Sequence, residues 1–324
     1  MGEEMGFAWP EIVELRHTLL KALREFFFSR GYLEVETPYL LRTAPPDLNI
    51  EPLAVYIGER GPYFLHTSPE VSMKKLLPAR ARIFQICKVF RAEPPTPQHA
   101  TEFTMLEWYS EGDYSDGIEE TMELLEFVSE RLDLGRGPLF RRPFPILDVE
   151  ELIVEECGLD PFLLDEIALR AEMQRRGLLR REAEDAPWND LFFILLFSAT
   201  ERRMVGQKPY FLLDWPLSIS SMAKRKGQGK VERFEVYMEG LEIANGYTEL
   251  LDPVEQRERF IRENKERKRL GRRTFEIDEE FLSVLGQAQG PFAGVSLGVD
   301  RLLMCLIGAK DIREVLPPGS FFPT

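Results

Sequence analysis

Cysteine, net positive charge and long apolar runs are what this chain has least of. Its 324 residues hold three cysteines, Cys87, Cys157 and Cys305, far apart and odd in number. They fit neither a disulfide framework nor a zinc site. No apolar run reaches the ~18 residues that a membrane-spanning helix needs. Residues 1–10 lack the basic start and apolar stretch of a secretory signal. Met1-Gly2 suggests myristoylation, but position 6 is Gly6 rather than Ser or Thr. The expectation is a cytoplasmic protein with no membrane contact. A formal charge of −14 argues against a protein whose main task is coating nucleic acid. Neither G-x-G-x-x-G nor G-x-x-x-x-G-K-[ST] occurs, which removes the Rossmann and P-loop fingerprints. There is no internal repeat and no low-complexity tract.

The chain that remains is globular in composition, 44% hydrophobic and 30% charged. Pro10 opens a periodic segment with Ile12, Leu15, Leu19, Leu23 and Phe26–Phe27 on one face, ended by Gly31. An extended stretch follows through Tyr32–Thr37 into Pro38. Residues 61–68 read as a strand running into a helix start, with Ser68 as N-cap and Pro69 at the first helical position. Residues 83–91 and 102–109 read as two strands around a proline-rich connection, 92–101. From about 115 to 210 the pattern is mainly helical, an expected insertion between sheet segments. Strand-like stretches return at 210–213, 233–238, 241–245 and 292–297, and a helix over 299–308 closes the fold. Strands joined by hairpins and flanked by helices imply an α+β chain with a mainly antiparallel sheet. The basic segment 222–230 reads as a mobile loop. Residues 257–273, with nine Lys or Arg, read as a solvated helix with i,i+4 pairs such as Glu258 with Arg262.

Three constellations carry chemistry. Alternation over 102–109 puts Phe103, Met105, Glu107 and Tyr109 on one face, an unusual set for a plain core, with Arg91 and Glu93 ending the preceding strand. In 239–249, Glu242 and Glu249 flank Asn245-Gly246. Their odd spacing separates them unless a bulge at that pair brings both onto one cation. In 294–301 a strand passes through Gly298 into a helix whose first turn holds Asp300 and Arg301, a cradle for anionic oxygens. Each has a bland reading: a buried ion pair, exposed strand glutamates, an ordinary helix start.

Together these segments resemble the three signature motifs of class II aminoacyl-tRNA synthetases. Helix 10–30 with Gly31–Pro38 resembles motif 1, residues 83–109 motif 2 and residues 294–301 motif 3. Thr67-Ser68-Pro69-Glu70, Glu107-Trp108-Tyr109 and Leu241–Tyr247 narrow the resemblance to the lysine branch. The resemblance implies a single catalytic domain over 1–324, a homodimer, ATP and Mg²⁺. It implies Arg91 and Arg301 as catalytic cations on the phosphates. Glu93, Phe103, Glu242, Ile243 and Gly298 would join them around ATP, with Glu242 and Glu249 at the metal. Ser68, Pro69, Glu70, Glu107, Tyr109, Asn245, Glu249 and Ser296 would surround the amino acid.

The helix of motif 1 begins near Pro10, so no N-terminal anticodon-binding barrel is expected, and tRNA is an unlikely partner. The chain is most similar to the elongation factor P–lysine ligase family. That likeness implies activation of (R)-β-lysine, or lysine, and its transfer to a lysine side chain of elongation factor P. Ser296 stands where lysyl-tRNA synthetases usually have Gly, an expected adaptation to a β-amino acid. Ala92, Gln98 and Ala100-Thr101 depart from the family pattern on the motif 2 loop, where acceptor recognition is in question. Two other readings stay open, a minimal synthetase charging RNA and a non-catalytic amino-acid-sensing module.

Overall fold

The computed structural model describes residues 8–179, 183–203, 208–227 and 229–320. An eight-stranded sheet forms its centre. In chain order the strands of the protein are β1 (Leu33–Glu34), β2 (Leu40–Leu41), β3 (Ala54–Ile57), β4 (Arg60–Leu65), β5 (Ile83–Phe90), β6 (Glu102–Glu111), β7 (Ile146–Asp148), β8 (Tyr210–Leu213), β9 (Arg225–Lys226), β10 (Lys230–Val231), β11 (Arg233–Met238), β12 (Leu241–Thr248) and β13 (Phe292–Gly298). The large sheet runs β1-β5-β6-β13-β12-β11-β8-β7. Only its two outermost pairs, β1/β5 and β7/β8, are parallel, and every pairing between them is antiparallel. The expected sheet class therefore stands.

The helices are α1 (Trp9–Ser29), α2 (Glu70–Lys74), α3 (Tyr114–Leu132), α4 (Val149–Cys157), α5 (Glu166–Arg175), α6 (Trp188–Arg203), α7 (Pro253–Arg269), α8 (Glu279–Leu285) and α9 (Val299–Ile307). Alternation in the central strands sends Leu106, Trp108, Phe234, Val236, Val295 and Leu297 to one face, where they join the buried faces of α1, α3 and α9 in the main core. Leu19, Leu23, Phe26 and Phe27 of α1 are fully buried there, and Phe27 stacks on Phe84 with centroids 4.8 Å apart. Trp108 donates Nε1–H to Glu120 at 2.8 Å, and Tyr32 donates its hydroxyl to the same carboxylate. The Trp108 and Tyr32 donors under the sheet are thereby satisfied. The opposite face of the sheet is left for the site.

Several expectations need correcting. The segment 115–210 is not only a helical insertion. Its α3 packs on the main sheet, and Ile146–Asp148 forms the sheet's edge strand, hidden from sequence by its three-residue length after Pro143 and Pro145. Its α4, α5 and α6 do gather a separate core around Phe192 and Trp215. Basic segment 222–230 holds an antiparallel ribbon, Lys226 opposite Lys230, with position 228 outside the described residues. In α7 the i,i+4 pair is Glu255 with Arg259 at 2.6 Å; Glu258 and Arg262 form no ion pair among the described residues. The three cysteines are free and buried. Among the described residues no helix is long and apolar enough to cross a membrane.

Candidate active site

The second face of the sheet is polar where a core would be apolar. Pairing aligns a cross-strand row Gln85–Glu107–Ser296–Asn245–Glu235, and beside it the row Ile83–Tyr109–Gly294–Tyr247–Arg233. Gly294 sits between the two tyrosines because a Cβ there would collide with the Tyr109 ring and the Glu249 carboxylate. Over these rows lies a cavity of about 330 Å³ walled by Glu70, Arg91, Glu93, Glu242, Asn245 and Arg301 among others. An adjoining pocket is lined by Phe103, Ile243, Gly298 and again Arg91, Glu93, Glu242 and Arg301. A larger cavity of about 660 Å³ lies between residues 36–46 and α8, but it gathers no pair of arginines and no residue of motifs 2 and 3.

Arg91 and Arg301 face the cavity from motifs 2 and 3. The Arg91 guanidinium lies 5.1 Å from the Phe103 ring centroid, and its Nε is buried with no hydrogen-bond partner. Arg301 is held by the Glu242 carbonyl at 2.8 Å and the Gln98 carbonyl at 3.3 Å. Asp300, beside it, turns inward. It accepts from Arg16 of α1 at 2.5 Å and from the Thr104 N–H at 2.6 Å, so one carboxylate ties all three motif segments together.

Glu242 and Glu249 share this face of the sheet but have different neighbours. The irregularity in β12 lies at Ile243, where Tyr237 pairs with Glu242 and Val236 with Ala244, not at Asn245-Gly246. The resulting phase leaves Glu242 facing Glu235, whose carboxyl is raised to about 7 by burial, with the nearby Glu242 adding to it and Arg233 opposing. Glu249 instead turns to Lys74, with Oε2 2.5 Å from Nζ and Oε1 unpartnered. Glu235 is thus a further carboxylate beside Glu242 on the site face, while Glu249 is engaged by Lys74. Sequence reading missed Glu235, which lies in a strand that reads as an ordinary buried run.

The residues expected around the amino acid divide into two layers. Ser68, Glu70, Asn245 and Ser296 line the cavity. Pro69 does not; it serves as the N-cap of α2, which starts at Glu70, one residue later than expected. The Ser68 hydroxyl accepts from the Glu70 N–H at 3.2 Å. Glu107, Tyr109 and Glu249 lie buried directly behind the wall. Tyr109 and Ser296 donate to the two oxygens of Glu107 at 2.6 and 2.9 Å. Burial, with Glu70 close by, pushes Glu107 up to about 8. Burial does the same to Glu249, opposed by Lys74. Glu70 accepts from the Tyr247 hydroxyl and from Lys74, the latter at 2.5 Å. Lys74 was also missed; at i+4 from Glu70 it reads as an ordinary surface helix pair.

Two arginines and a cluster of carboxylates thus meet at one cavity. Residues 8–323 match the family described as tRNA synthetases class II (D, K and N). The chain is 36% identical to the elongation factor P–(R)-β-lysine ligase of Avibacterium paragallinarum, over 93% of this chain and 92% of that one. It is 38% identical to the elongation factor P–(R)-β-lysine ligase homolog of Aquifex aeolicus, over 90% and 94%. To the Mannheimia succiniciproducens ligase of the same name it is 35% identical, over 94% and 93%. The chain belongs to the elongation factor P–(R)-β-lysine ligase family. The match to the class II synthetase family agrees with the mainly antiparallel sheet of this chain.

Proposed function

We propose that this protein uses ATP and Mg²⁺ to activate (R)-β-lysine, or lysine, as its adenylate, and passes the aminoacyl group to a lysine side chain of elongation factor P. The observation that carries this reading is the placing of Arg91 and Arg301 in one cavity with Glu70, behind which Glu107 and Glu249 lie buried. Attack of the substrate carboxylate on the α-phosphorus builds negative charge among the phosphates. Arginines placed in advance stabilise that charge without a protein base. The acidic side offers counter-charge to a substrate with two ammonium groups, and a neutral side chain would leave it unmatched.

Glu235 and Glu242 fit Mg²⁺, since two mutually repelling carboxylates are relieved by a dication. No group of three or more metal-binding side chains exists among the described residues. That suits Mg²⁺, which takes few protein ligands and completes its sphere with phosphate oxygens and water. When bound, the ion adds positive charge beside the phosphates. Phe103 offers its ring to the adenine. We place a homodimer contact at α1 and the segment after it, where Phe28 and Leu33 are each 53% exposed.

The test of this reading is transfer. Labelled (R)-β-lysine or L-lysine is supplied with ATP, and with purified elongation factor P or tRNA as acceptor. Label on the factor and none on tRNA is expected; charged tRNA with an unlabelled factor would overturn the reading.

Two predictions arise here. In Gly298→Ala the new Cβ meets only the Arg301 side chain, at 3.6 Å, so the melting temperature should not move. The KM for ATP should rise by about tenfold, because the methyl occupies space the nucleotide needs. An unchanged KM would show that Gly298 does not lie against ATP.

The second concerns pH. Glu107 and Glu249 titrate near 8 in the folded, substrate-free protein and near 4.5 when unfolded. The folded state therefore holds more protons between these values, and stability falls as pH rises through that window. A diammonium substrate favours the ionised carboxylates, so its binding expels protons. Affinity should climb from pH 6.5 toward 8 and then level off. Calorimetric titration in buffers of different ionisation enthalpy reads the released protons, and a proton count of zero at pH 7 contradicts the assignment.

A further inference from the structure

We propose that Lys74 is a specificity-determining residue of the amine side. In this view it is a resident ammonium that fixes Glu70 and Glu249 and sets the charge the cluster presents to substrate. The inference rests on the reading of the site as one for a diamino acid.

Lys74 is 1% exposed, and its Nζ lies 2.5 Å from Glu70 Oε1 and 2.5 Å from Glu249 Oε2. The Glu249 side chain is itself fully buried. Met222 Sδ lies 3.8 Å from the same nitrogen, and the Tyr247 ring centroid 5.2 Å away. A buried lysine is costly, and where its role is only to fill space an apolar side chain does as well or better. This one stands immediately behind the cavity wall, joined to it through Glu70.

Its charge decides the tally. Glu70, Glu107 and Glu249 carry three negative charges when ionised; Lys74 returns one, leaving two. Two is the number of ammonium groups on a diamino acid. Position matters as much as count. Lys74 bridges Glu70 and Glu249 and so fixes where both carboxylates stand. The groups that face it are Glu70 from its own helix, Glu107 and Tyr109 from β6, Tyr247 from β12 and Glu249 just after it. Among these Lys74 is the sole cation, and it opposes the rise of both Glu107 and Glu249.

The experiment is amino-acid-dependent ATP–pyrophosphate exchange across pH for the wild type, Lys74→Met and Lys74→Arg, with melting temperatures as the fold control. For Lys74→Met we expect the KM for the amino acid to rise about 30-fold or more, with the KM for ATP unchanged. The acid limb of kcat/KM should move up by about one pH unit, since three carboxylates then repel one another uncompensated. Part of the loss should return at high pH, which a purely structural lesion would not show. Lys74→Arg keeps the charge but not the size, so the limb should stay in place while the KM rises about threefold. A folded Lys74→Met with wild-type KM and acid limb overturns the assignment. If that variant does not fold, Lys74→Arg with a wild-type KM overturns it. No exchange by the wild-type protein with any diamino acid overturns the functional reading as well as this one.

Discussion

Arg91→Met should lower amino-acid-dependent pyrophosphate exchange by about 10³-fold or more while leaving the protein folded. The guanidinium has no ion-pair partner among the described residues, and its Nε is buried without a hydrogen bond. A cation kept in that condition is waiting for a ligand. Burial pushes it below the usual arginine range, and Glu93 and Glu242 hold it up. Because it ties no two elements together by a salt bridge, its removal costs little packing, and the melting temperature should fall little. Arg91→Lys should not rescue. A lysine ammonium is a point charge and cannot present two parallel donors to a phosphate or carboxylate. Both the substrate carboxylate and the α-phosphate would lose a contact that strengthens as charge develops, so kcat should fall more than the KM for ATP rises. Exchange within tenfold of wild type in a folded Arg91→Met would exclude Arg91 from the chemistry.

How far the site could be read from sequence depends on the element. Strands 210–213 and 233–238 occur where expected because hydrophobic runs bounded by turns mark them. The face carrying Phe103, Met105, Glu107 and Tyr109 followed from period two alone, since β6 pairs without a break from Glu102 to Tyr109. The same rule failed in β12. One extra residue at Ile243 shifts the phase, and no turn residue there announces it. That shift puts Glu242 on the same face as Glu235, Asn245 and Glu249, which strict alternation would have denied. Lys74 was illegible for another reason: its identity as a buried counter-charge depends on Glu249, 175 positions away in the chain. Asp300 was legible as part of a motif but not in direction. A helix start suggested a place for a ligand, and the structure spends that carboxylate on Arg16 and Thr104 instead.

That inward turn gives the second large effect. Asp300→Ala should destabilise the fold by about 3–5 kcal/mol, read as a lower denaturant midpoint at unchanged slope. The Asp300 side chain is 2% exposed and that of Arg16 12%, so the pair is poorly screened. Removing the carboxylate strands the Thr104 N–H and leaves Arg16, among the described residues, with only the Thr104 hydroxyl at 2.7 Å and the Val315 carbonyl at 3.3 Å. A buried cation without its counter-charge is the expensive outcome, more than the loss of the bond itself. Replacing both partners, Arg16→Met with Asp300→Leu, should therefore cost less than the two single changes added together. The consequence for activity follows from chain order. Asp300 fixes the first turn of α9, and the next residue is Arg301. Freed from its anchor, that turn holds Arg301 less firmly against the Glu242 carbonyl, and the KM for ATP should rise in Asp300→Ala even well below its unfolding midpoint. An Asp300→Ala protein as stable as wild type would show that α1, the motif 2 strand and α9 are held together by apolar packing alone.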